Sequence, residues 1–327
     1  MRVRGGLAAA AGPVADAVPP AGGASVMGTG IVSAGLWLAD HRTLSAILLA
    51  VAIALWLGLL GLFALRAARE RTRWLQEART PAALTGVAGT SVLGSRLTMS
   101  GADWAAWILL VLALVAWLAL VPRVVRHWRT PTVGISFVLT VSTESLAVLA
   151  ALLALDEHRD WLALAALGPL VLGLAAYLFA LVRVDLRQLL AGRGDHWIFG
   201  GALAIATLAC ARTTAALEAT AQLSRWHGVL QDATLALWAA ACLWLPVLLA
   251  GELLRPRPGY ATARWGTVFP FGMYAVCSIA AGSVAGVSGI ERFGRAWIFV
   301  ALAVWLAVFA GMLARGAELA RRRDPLT

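Results

Sequence analysis

The chain alternates between two kinds of apolar stretch, each long enough to cross a bilayer. The even-numbered stretches are dense in Leu, Ala, Val and Trp, whereas the odd-numbered ones carry Gly, Ser, Thr and a few ionisable side chains. About 20 apolar residues span the hydrocarbon core of a membrane. The pattern therefore predicts ten transmembrane helices, at residues 22–39, 44–65, 81–99, 104–121, 132–154, 161–182, 197–217, 229–250, 264–287 and 296–314.

The alternation also predicts how these helices are arranged. A helix that faces lipid can be apolar all round, whereas one that lines a water-filled path needs small and polar residues. We therefore expect an all-α integral membrane protein built from five helical hairpins, each entering on an odd helix and returning on an even one. The odd helices would form an inner ring around a pore, inside an outer ring of even helices. The repeat lies in the hydropathy pattern, as in many transporters.

Composition excludes an ordinary soluble domain, because 61% of residues are hydrophobic and 13% are charged. The net charge is +10, and all 27 basic residues are Arg. Of the 27 Arg, 20 lie in the N-terminus, the even-to-odd connections or the C-terminus. Positive charge on one side is the topology signal of a membrane protein, so no nucleic-acid partner is expected. The split places both termini in the cytoplasm and the protein in the cell membrane.

Three regions are predicted along the chain. Residues 1–20 form a cytoplasmic leader, since their Ala-rich stretch lacks a Leu or Val core and is broken by Gly and Pro, unlike a signal peptide. Residues 21–316 form the ten-helix transport domain, and residues 317–327 form a basic cytoplasmic tail. The longest polar connection, residues 66–80, is Arg- and Glu-rich and is predicted to hold a short surface helix.

Enzymatic chemistry has little support in the sequence. Cys210, Cys242 and Cys277 each fall inside a predicted span, where they fit packing roles better than a disulfide framework or a metal site. The His residues all fall near span ends: His41, His127, His158, His196 and His227. We therefore expect no cofactor, no metal and no enzymatic activity. A purely structural or sensory membrane protein would have no use for a polar inner ring.

The fifth stretch carries polar residues at regular intervals. Thr132, Ser136, Thr140 and Glu144 recur every four residues, with Thr143 beside the last. Such positions share one helix face. Hydroxyls that bond their own backbone carbonyls offer a structural explanation. Four residues in register that end on a carboxyl favour a water-facing stripe instead.

Two ionisable side chains lie deepest in the predicted membrane. At about 1.5 Å per residue, Glu144 and Arg212 lie at neighbouring depths past the midplane. A charge at the bilayer centre costs roughly 2.5–3.5 kcal/mol even on the lenient insertion scale, so each is a functional candidate. In one interpretation the two pair and hold helices together. In the other, Arg212 attracts an anion and Glu144 titrates.

The ninth stretch contains Phe269 immediately before Pro270, with Gly266 three residues earlier. Proline removes a backbone hydrogen bond and kinks a helix, which would expose carbonyl groups where a pore narrows. A Phe packed in the core is the alternative. The predicted pore lining is completed by small and hydroxyl residues of other odd stretches, which would equally permit close helix packing: Gly28, Thr29, Ser33, Gly89, Thr90 and Thr207.

Three segments resemble one known family. Residues 26–33 (VMGTGIVS), 194–203 (GDHWIFGGAL) and 264–272 (RWGTVFPFG) are similar to motifs of the tellurite-resistance/dicarboxylate transporter family. That family includes bacterial TehA, yeast malic acid permeases and plant slow-type guard-cell anion channels. Each motif alone is weakly specific, but their order and spacing agree, and the resemblance covers nearly the whole chain after about residue 20.

The resemblance implies a pseudo-fivefold protomer, usually a homotrimer, that passes small anions through a central pore. It also implies an aromatic gate that maps onto Phe269. We therefore expect a channel for small inorganic or dicarboxylate anions, in which Arg96 and Arg212 raise the local anion concentration from the outer side. The alternative is a proton-coupled four-carbon dicarboxylate carrier in which Glu144 titrates.

Overall fold

The computed structural model describes residues 20–187, 196–256 and 259–321, and within them each predicted stretch is a helix. The predicted leader, apart from residue 20, and the last six residues of the predicted tail lie outside the described residues. The long helices are α1 (Gly23–Leu38), α2 (Arg42–Arg69), α3 (Thr85–Thr98), α4 (Asp103–Arg126), α5 (Val138–Glu157), α6 (Asp160–Leu181), α7 (Trp197–Ala219), α8 (His227–Leu254), α9 (Trp265–Ala285) and α10 (Ser288–Arg321).

The observed ends of several helices, including α3, α5 and α10, differ from the predicted ends. Helix α10 runs on to Arg321, so the first part of the predicted basic tail continues the last helix. The predicted surface helix is present at Arg71–Glu77. Helices α3 and α5 begin later than predicted, after 3₁₀ turns at Pro81–Leu84 and Gly134–Phe137. Short 3₁₀ turns are frequent at the N-termini of α-helices.

The prediction of a multi-pass membrane protein is confirmed. Eight helices of the described chain are long and apolar enough to cross a membrane. The two others are α1, which is apolar but has 16 residues, and α3, which has 14 residues.

The two kinds of helix differ in burial as the alternation predicts. Buried residues make up 94% of the apolar segment of α5 but 11% of that of α2. Small residues in the buried helices let backbones approach closely, which is how helices pack in the absence of a hydrophobic driving force. The even helices also approach closely: a Cβ added at Gly294 of α10 would lie 2.5 Å from the carbonyl oxygen of Ala275 in α9.

The buried helices contact one another in a cyclic order. Helix α1 packs on α3, α3 on α5, α5 on α7, α7 on α9, and α9 on α1. Each even helix packs on the odd helix before it and on the next odd helix in this order, so α10 contacts both α9 and α1. An even helix therefore covers the groove between two neighbouring odd helices.

Candidate functional site

A large inter-helix cavity of about 350 Å³ lies near the start of the buried helices. All five odd helices contribute to its wall, either directly or through the 3₁₀ turns before them. Its lining residues are Ala21, Ala24, Met27, Thr85, Ile135, Val138, Val141, Ile198, Thr262, Ala263, Trp265, Gly266 and Phe269. The wall is therefore mainly apolar.

A small inter-helix cavity of about 20 Å³ lies further along the same helices. The odd helices again all contribute, and the wall is more polar. Its lining residues are Ile31, Ala34, Val92, Ser95, Met99, Ser145, Val148, Leu152, Ile205, Leu208, Arg212, Met273 and Val276.

Both cavities lie along one face of each buried helix. In α5 the lining positions are 138, 141, 145, 148 and 152, which alternate steps of three and four residues. Helix α9 repeats this spacing with Gly266, Phe269, Met273 and Val276. Such spacing keeps side chains on one helix face, so the two cavities follow a common line.

Phe269 is the last residue of α9 on the wall of the large cavity. It lines the large cavity with Gly266, while Met273, one turn further, lines the small one. Its side chain is 2% exposed. Helix α9 continues through Pro270. The proline ring packs against Gly201 of α7: a Cβ added at Gly201 would lie only 2.7 Å from the proline Cγ.

Arg212 is the single charged residue among those that line the two cavities in the described chain. Its Nε atom is buried and has no hydrogen-bond partner among the described residues. Both carboxyl oxygens of Glu144 are likewise buried without a partner. The interpretation that these two residues pair is therefore not supported by the structure.

Glu144 lies against α6 and lines neither cavity. A Cβ added at Gly173 would lie 2.4 Å from Glu144 Oε1, so the absent side chain of Gly173 makes room for the carboxyl group. Thr140, one turn earlier, is fully buried, and its hydroxyl also lacks a partner within the described residues. The predicted stripe is not one continuous α-helical face, because Thr132 and Ser136 precede α5.

Three hydroxyls predicted to line a pore instead accept hydrogen bonds from tryptophans of the outer helices. In each case an indole Nε1 donates across 2.9 Å to a hydroxyl of the next buried helix. The pairs are Trp305 to Thr29, Trp56 to Thr90, and Trp117 to Thr143. A fourth pair, Trp238 to Ser278, has the same distance and was not anticipated from the sequence.

The other small and hydroxyl candidates lie in helix contacts outside the two cavities. Gly28 approaches Val268, Gly89 approaches the carbonyl oxygen of Gly23, and Thr207 donates to the Leu203 carbonyl. Ser33 donates to the Ser45 carbonyl at 2.8 Å. In the 3₁₀ turn before α5, the hydroxyl of Ser136 accepts a hydrogen bond from the Val133 amide at 3.4 Å.

Arg96 is fully buried but lines neither cavity. Its guanidinium donates to the hydroxyls of Ser33, Ser45 and Ser100 at 2.5–3.1 Å. It also lies over the Trp37 ring, 4.2 Å from the ring centre. These contacts connect α3 to α1 and α2, so the arrangement fits a structural brace.

Sequence reasoning missed most of the cavity wall. The predicted pore lining consisted mainly of hydroxyl and glycine residues, whereas the observed wall is an apolar stripe that includes Met27, Val141 and Ile198. Ser95 and Ser145, which line the small cavity, were also missed. The three-and-four spacing of apolar residues from Val138 onward contains Ser145 and is the signal that could have found it.

Most of the chain matches a known protein family. Residues 17–313 match the family described as SLAC1, voltage-dependent anion channel. The chain belongs to this family. The predicted family relationship is therefore confirmed, and the SLAC1 family consists of channels and transporters rather than enzymes. Membership is consistent with anion transport.

Two relatives match part of this SLAC1-family chain. They are uncharacterized membrane proteins of Mycobacterium tuberculosis, from strains CDC 1551 / Oshkosh and ATCC 25618 / H37Rv. Each is 32% identical over 123 residues, which cover 36% of this chain and 62% of the relative. They support the assignment to membranes.

Proposed function

We propose that this protein is a channel for small anions in the cell membrane, with both termini in the cytoplasm and all ten long helices crossing the bilayer. The lengths of the two shorter helices support this. With its leading 3₁₀ turn, α1 spans about 30 Å. Helix α3 with its own turn spans about 29 Å. The hydrocarbon core is about 30 Å thick.

The pore follows the common line of the two cavities, with the odd helices as a pseudo-fivefold inner ring. The observation that carries this proposal is that both cavities are lined by all five odd helices, with Phe269 on the wall of the large cavity one turn before Met273 on the wall of the small one. An apolar constriction excludes water and so blocks ions. The Phe269 ring closes the pore at rest, and its displacement connects the two cavities.

Arg212 supplies the selectivity for anions. A cation without a counterion beside a narrow, poorly solvated passage attracts anions and repels other cations. Ser95 and Ser145 line the same small cavity, and their hydroxyls donate to the carbonyls of Ser91 and Ser142. Rotation of these hydroxyls toward the cavity lets them donate to an anion instead and replace part of its hydration shell. Monovalent anions and four-carbon dicarboxylates are the substrate classes that the family resemblance favours, and we carry over the homotrimer from the same resemblance.

The gate is tested by Phe269→Ala in proteoliposomes or planar bilayers. Removal of the ring should raise anion conductance several-fold at unchanged expression. Phe271→Ala is the matched control, because Phe271 packs on Trp197 and Trp297 away from the cavities. It should lower stability without raising conductance. Unchanged or reduced conductance of Phe269→Ala would count against the gate.

A proton-coupled dicarboxylate carrier is the second candidate, and it is favoured by the buried carboxyl of Glu144, which has no hydrogen-bond partner among the described residues. Because an unpaired carboxylate is costly in the membrane interior, this group is expected to hold a proton. Flux measurements separate the two functions. An uncoupled channel passes anions down their own gradient regardless of an imposed pH gradient, whereas a coupled carrier responds to that gradient.

A further inference from the structure

A third cavity of about 350 Å³ lies outside the cyclic arrangement, between α2, α4 and the short helix Arg71–Glu77, with α3 as its floor. We call it the α2–α4 cleft. Its lining residues are Gly23, Val26, Trp56, Leu59, Leu60, Phe63, Trp74, Glu77, Ala78, Ala83, Gly86, Val87, Gly89, Thr90, Leu112, Ala116 and Leu120. Neither inter-helix cavity shares any of these residues.

The α2–α4 cleft opens toward the lipid. Leu60 and Leu112, on its two long walls, are 51% and 46% exposed and belong to helices that cross the membrane. Its wall is mainly apolar. The hydroxyl of Thr90 already donates to the Gly86 carbonyl and accepts from Trp56. The cleft therefore suits a hydrocarbon chain, which needs no hydrogen-bond partner.

The cleft ends beside a basic segment. The connection at residues 66–80 contains five Arg and two Glu. Trp74 of the short helix and Ala78, directly after it, line the cleft. Arg71 precedes Trp74 by three residues in the same helix, so the two residues share one helix face.

Glu77 also lines the cleft, but its charge is matched. It forms ion pairs with Arg66 at 3.5 Å and Arg73 at 3.3 Å. Glu70 also pairs with Arg73, at 3.3 Å. Because residues 66–80 contain five Arg and only these two Glu, the end of the cleft has a net positive charge. Guanidinium groups bind phosphate oxygens in a bidentate manner, and basic residues beside a transmembrane helix attract anionic lipids.

We propose that the α2–α4 cleft binds an anionic phospholipid, with an acyl chain along α2 and α4 and the phosphate beside Arg71. This site is separate from the proposed pore and does not depend on the transport function. The lipid lies against Trp56 and Thr90, which join α2 to the buried helix α3. It therefore stabilises that junction.

The proposed position of the lipid acyl chain in the cleft is tested by Gly86→Leu. Gly86 lines the cleft, and a Cβ there meets no atom of the described residues within 4 Å, so a larger side chain occupies the space that the acyl chain would take. Gly168→Leu is the matched control, because a Cβ at this position also meets nothing and the residue is exposed on α6.

Purified, delipidated protein in detergent is titrated with phosphatidylglycerol or phosphatidylcholine, and the thermal unfolding midpoint is followed. We expect phosphatidylglycerol to raise the midpoint of the native protein and of Gly168→Leu by several degrees, and that of Gly86→Leu by less than half as much. An equal rise in all three proteins would overturn the proposal. A change in oligomeric state of Gly86→Leu with an unchanged lipid response would also overturn it, since a second copy would then fill the cleft.

The head group is tested by Arg71→Gln, with Arg225→Gln, an exposed arginine near the start of α8, as its control. Arg71→Gln should remove most of the advantage of phosphatidylglycerol over phosphatidylcholine, while Arg225→Gln should retain it. Equal stabilisation of the native protein by the two lipids would contradict the proposed phosphate contact.

Discussion

At the scale of single residues, Arg96, Arg212 and Glu144 are all ionisable side chains inside the bundle, but their surroundings indicate different roles. Arg96 has three hydroxyl partners and an aromatic ring. Arg212 borders the small inter-helix cavity, and its Nε has no partner among the described residues. Glu144 faces the backbone of α6 at Gly173. Burial alone does not reveal function, because of these three buried residues only Arg212 lines an inter-helix cavity.

Arg212→Gln should reduce anion selectivity, because it removes the only charge among the residues that line the two cavities in the described chain. We expect the permeability ratio of chloride to potassium, obtained from reversal potentials in asymmetric salt, to fall several-fold. Arg96→Gln is the control: it should lower the thermal unfolding midpoint, since it leaves buried hydroxyls without a donor, but leave the ratio unchanged. An unaltered permeability ratio in Arg212→Gln would show that Arg212 does not contribute to anion selectivity.

Glu144→Gln should leave stability and flux nearly unchanged if the carboxyl group is neutral in the channel, because an amide has a similar shape and no charge. Gly173→Ala should destabilise the protein by about 1–3 kcal/mol, because the added methyl group overlaps the carboxyl group. Thermal unfolding measures both effects. A large loss of stability in Glu144→Gln would indicate that the native group is ionised and bound to a partner.

At the scale of helices, the outer ones are attached to the bundle by their tryptophans. Helices α2, α4, α8 and α10 each donate an indole hydrogen bond to the buried helix that follows in the cyclic order. These bonds hold helices together in a solvent that offers no hydrophobic driving force between them. They also explain why several buried helices carry hydroxyls that face away from the cavities.

Trp305→Phe tests this attachment, because it removes the donor to Thr29 and retains an aromatic ring. Trp305→Phe and Thr29→Val should each cost about 0.5–1.5 kcal/mol, and the double variant should cost less than their sum. Thermal unfolding of the four proteins measures the coupling. Trp297→Phe is the matched control on the same helix, since its buried Nε1 has no partner in the described structure. Additive losses would show that the hydrogen bond contributes nothing.

At the scale of the whole molecule, the number of crossings decides whether the odd helices can enclose a pore. Helix α3 is the critical one, because its 14 residues fall below the length of the eight clear candidates. It nevertheless contacts both α1 and α5, and its residues line both inter-helix cavities. A bundle without this crossing would place the two ends of α3 on one side of the membrane.

Thr80→Cys and Ser100→Cys, which flank α3, should therefore react with a membrane-impermeant thiol reagent from opposite sides. Thr80 is exposed before the 3₁₀ turn, and Ser100 follows the helix. Labelling of intact cells and of inverted vesicles distinguishes the sides. The native cysteines lie within helices, and the unsubstituted chain provides the background. Labelling of both positions from one side would exclude ten crossings.

The sequence by itself determined the helices, their alternation, the membrane environment and the family. These features depend on local composition, because a segment enters lipid according to its own side chains and its length. The burial of the odd helices also followed from composition, since Gly, Ser and Thr permit close packing while Leu- and Val-rich helices tolerate lipid.

Only the tertiary structure decided which face of each buried helix borders a cavity. Helix α5 carries two candidate faces, a hydroxyl and carboxyl face through Thr140 and Glu144 and a mainly apolar face through Val141 and Val148. Its periodicity cannot choose between them. The choice depends on groups distant in sequence, such as the Trp117 indole and the bare backbone of Gly173, which accommodate the polar face on the outer side. Hydrogen-bond partners on neighbouring helices, absent from any local pattern, therefore set the orientation of the helix.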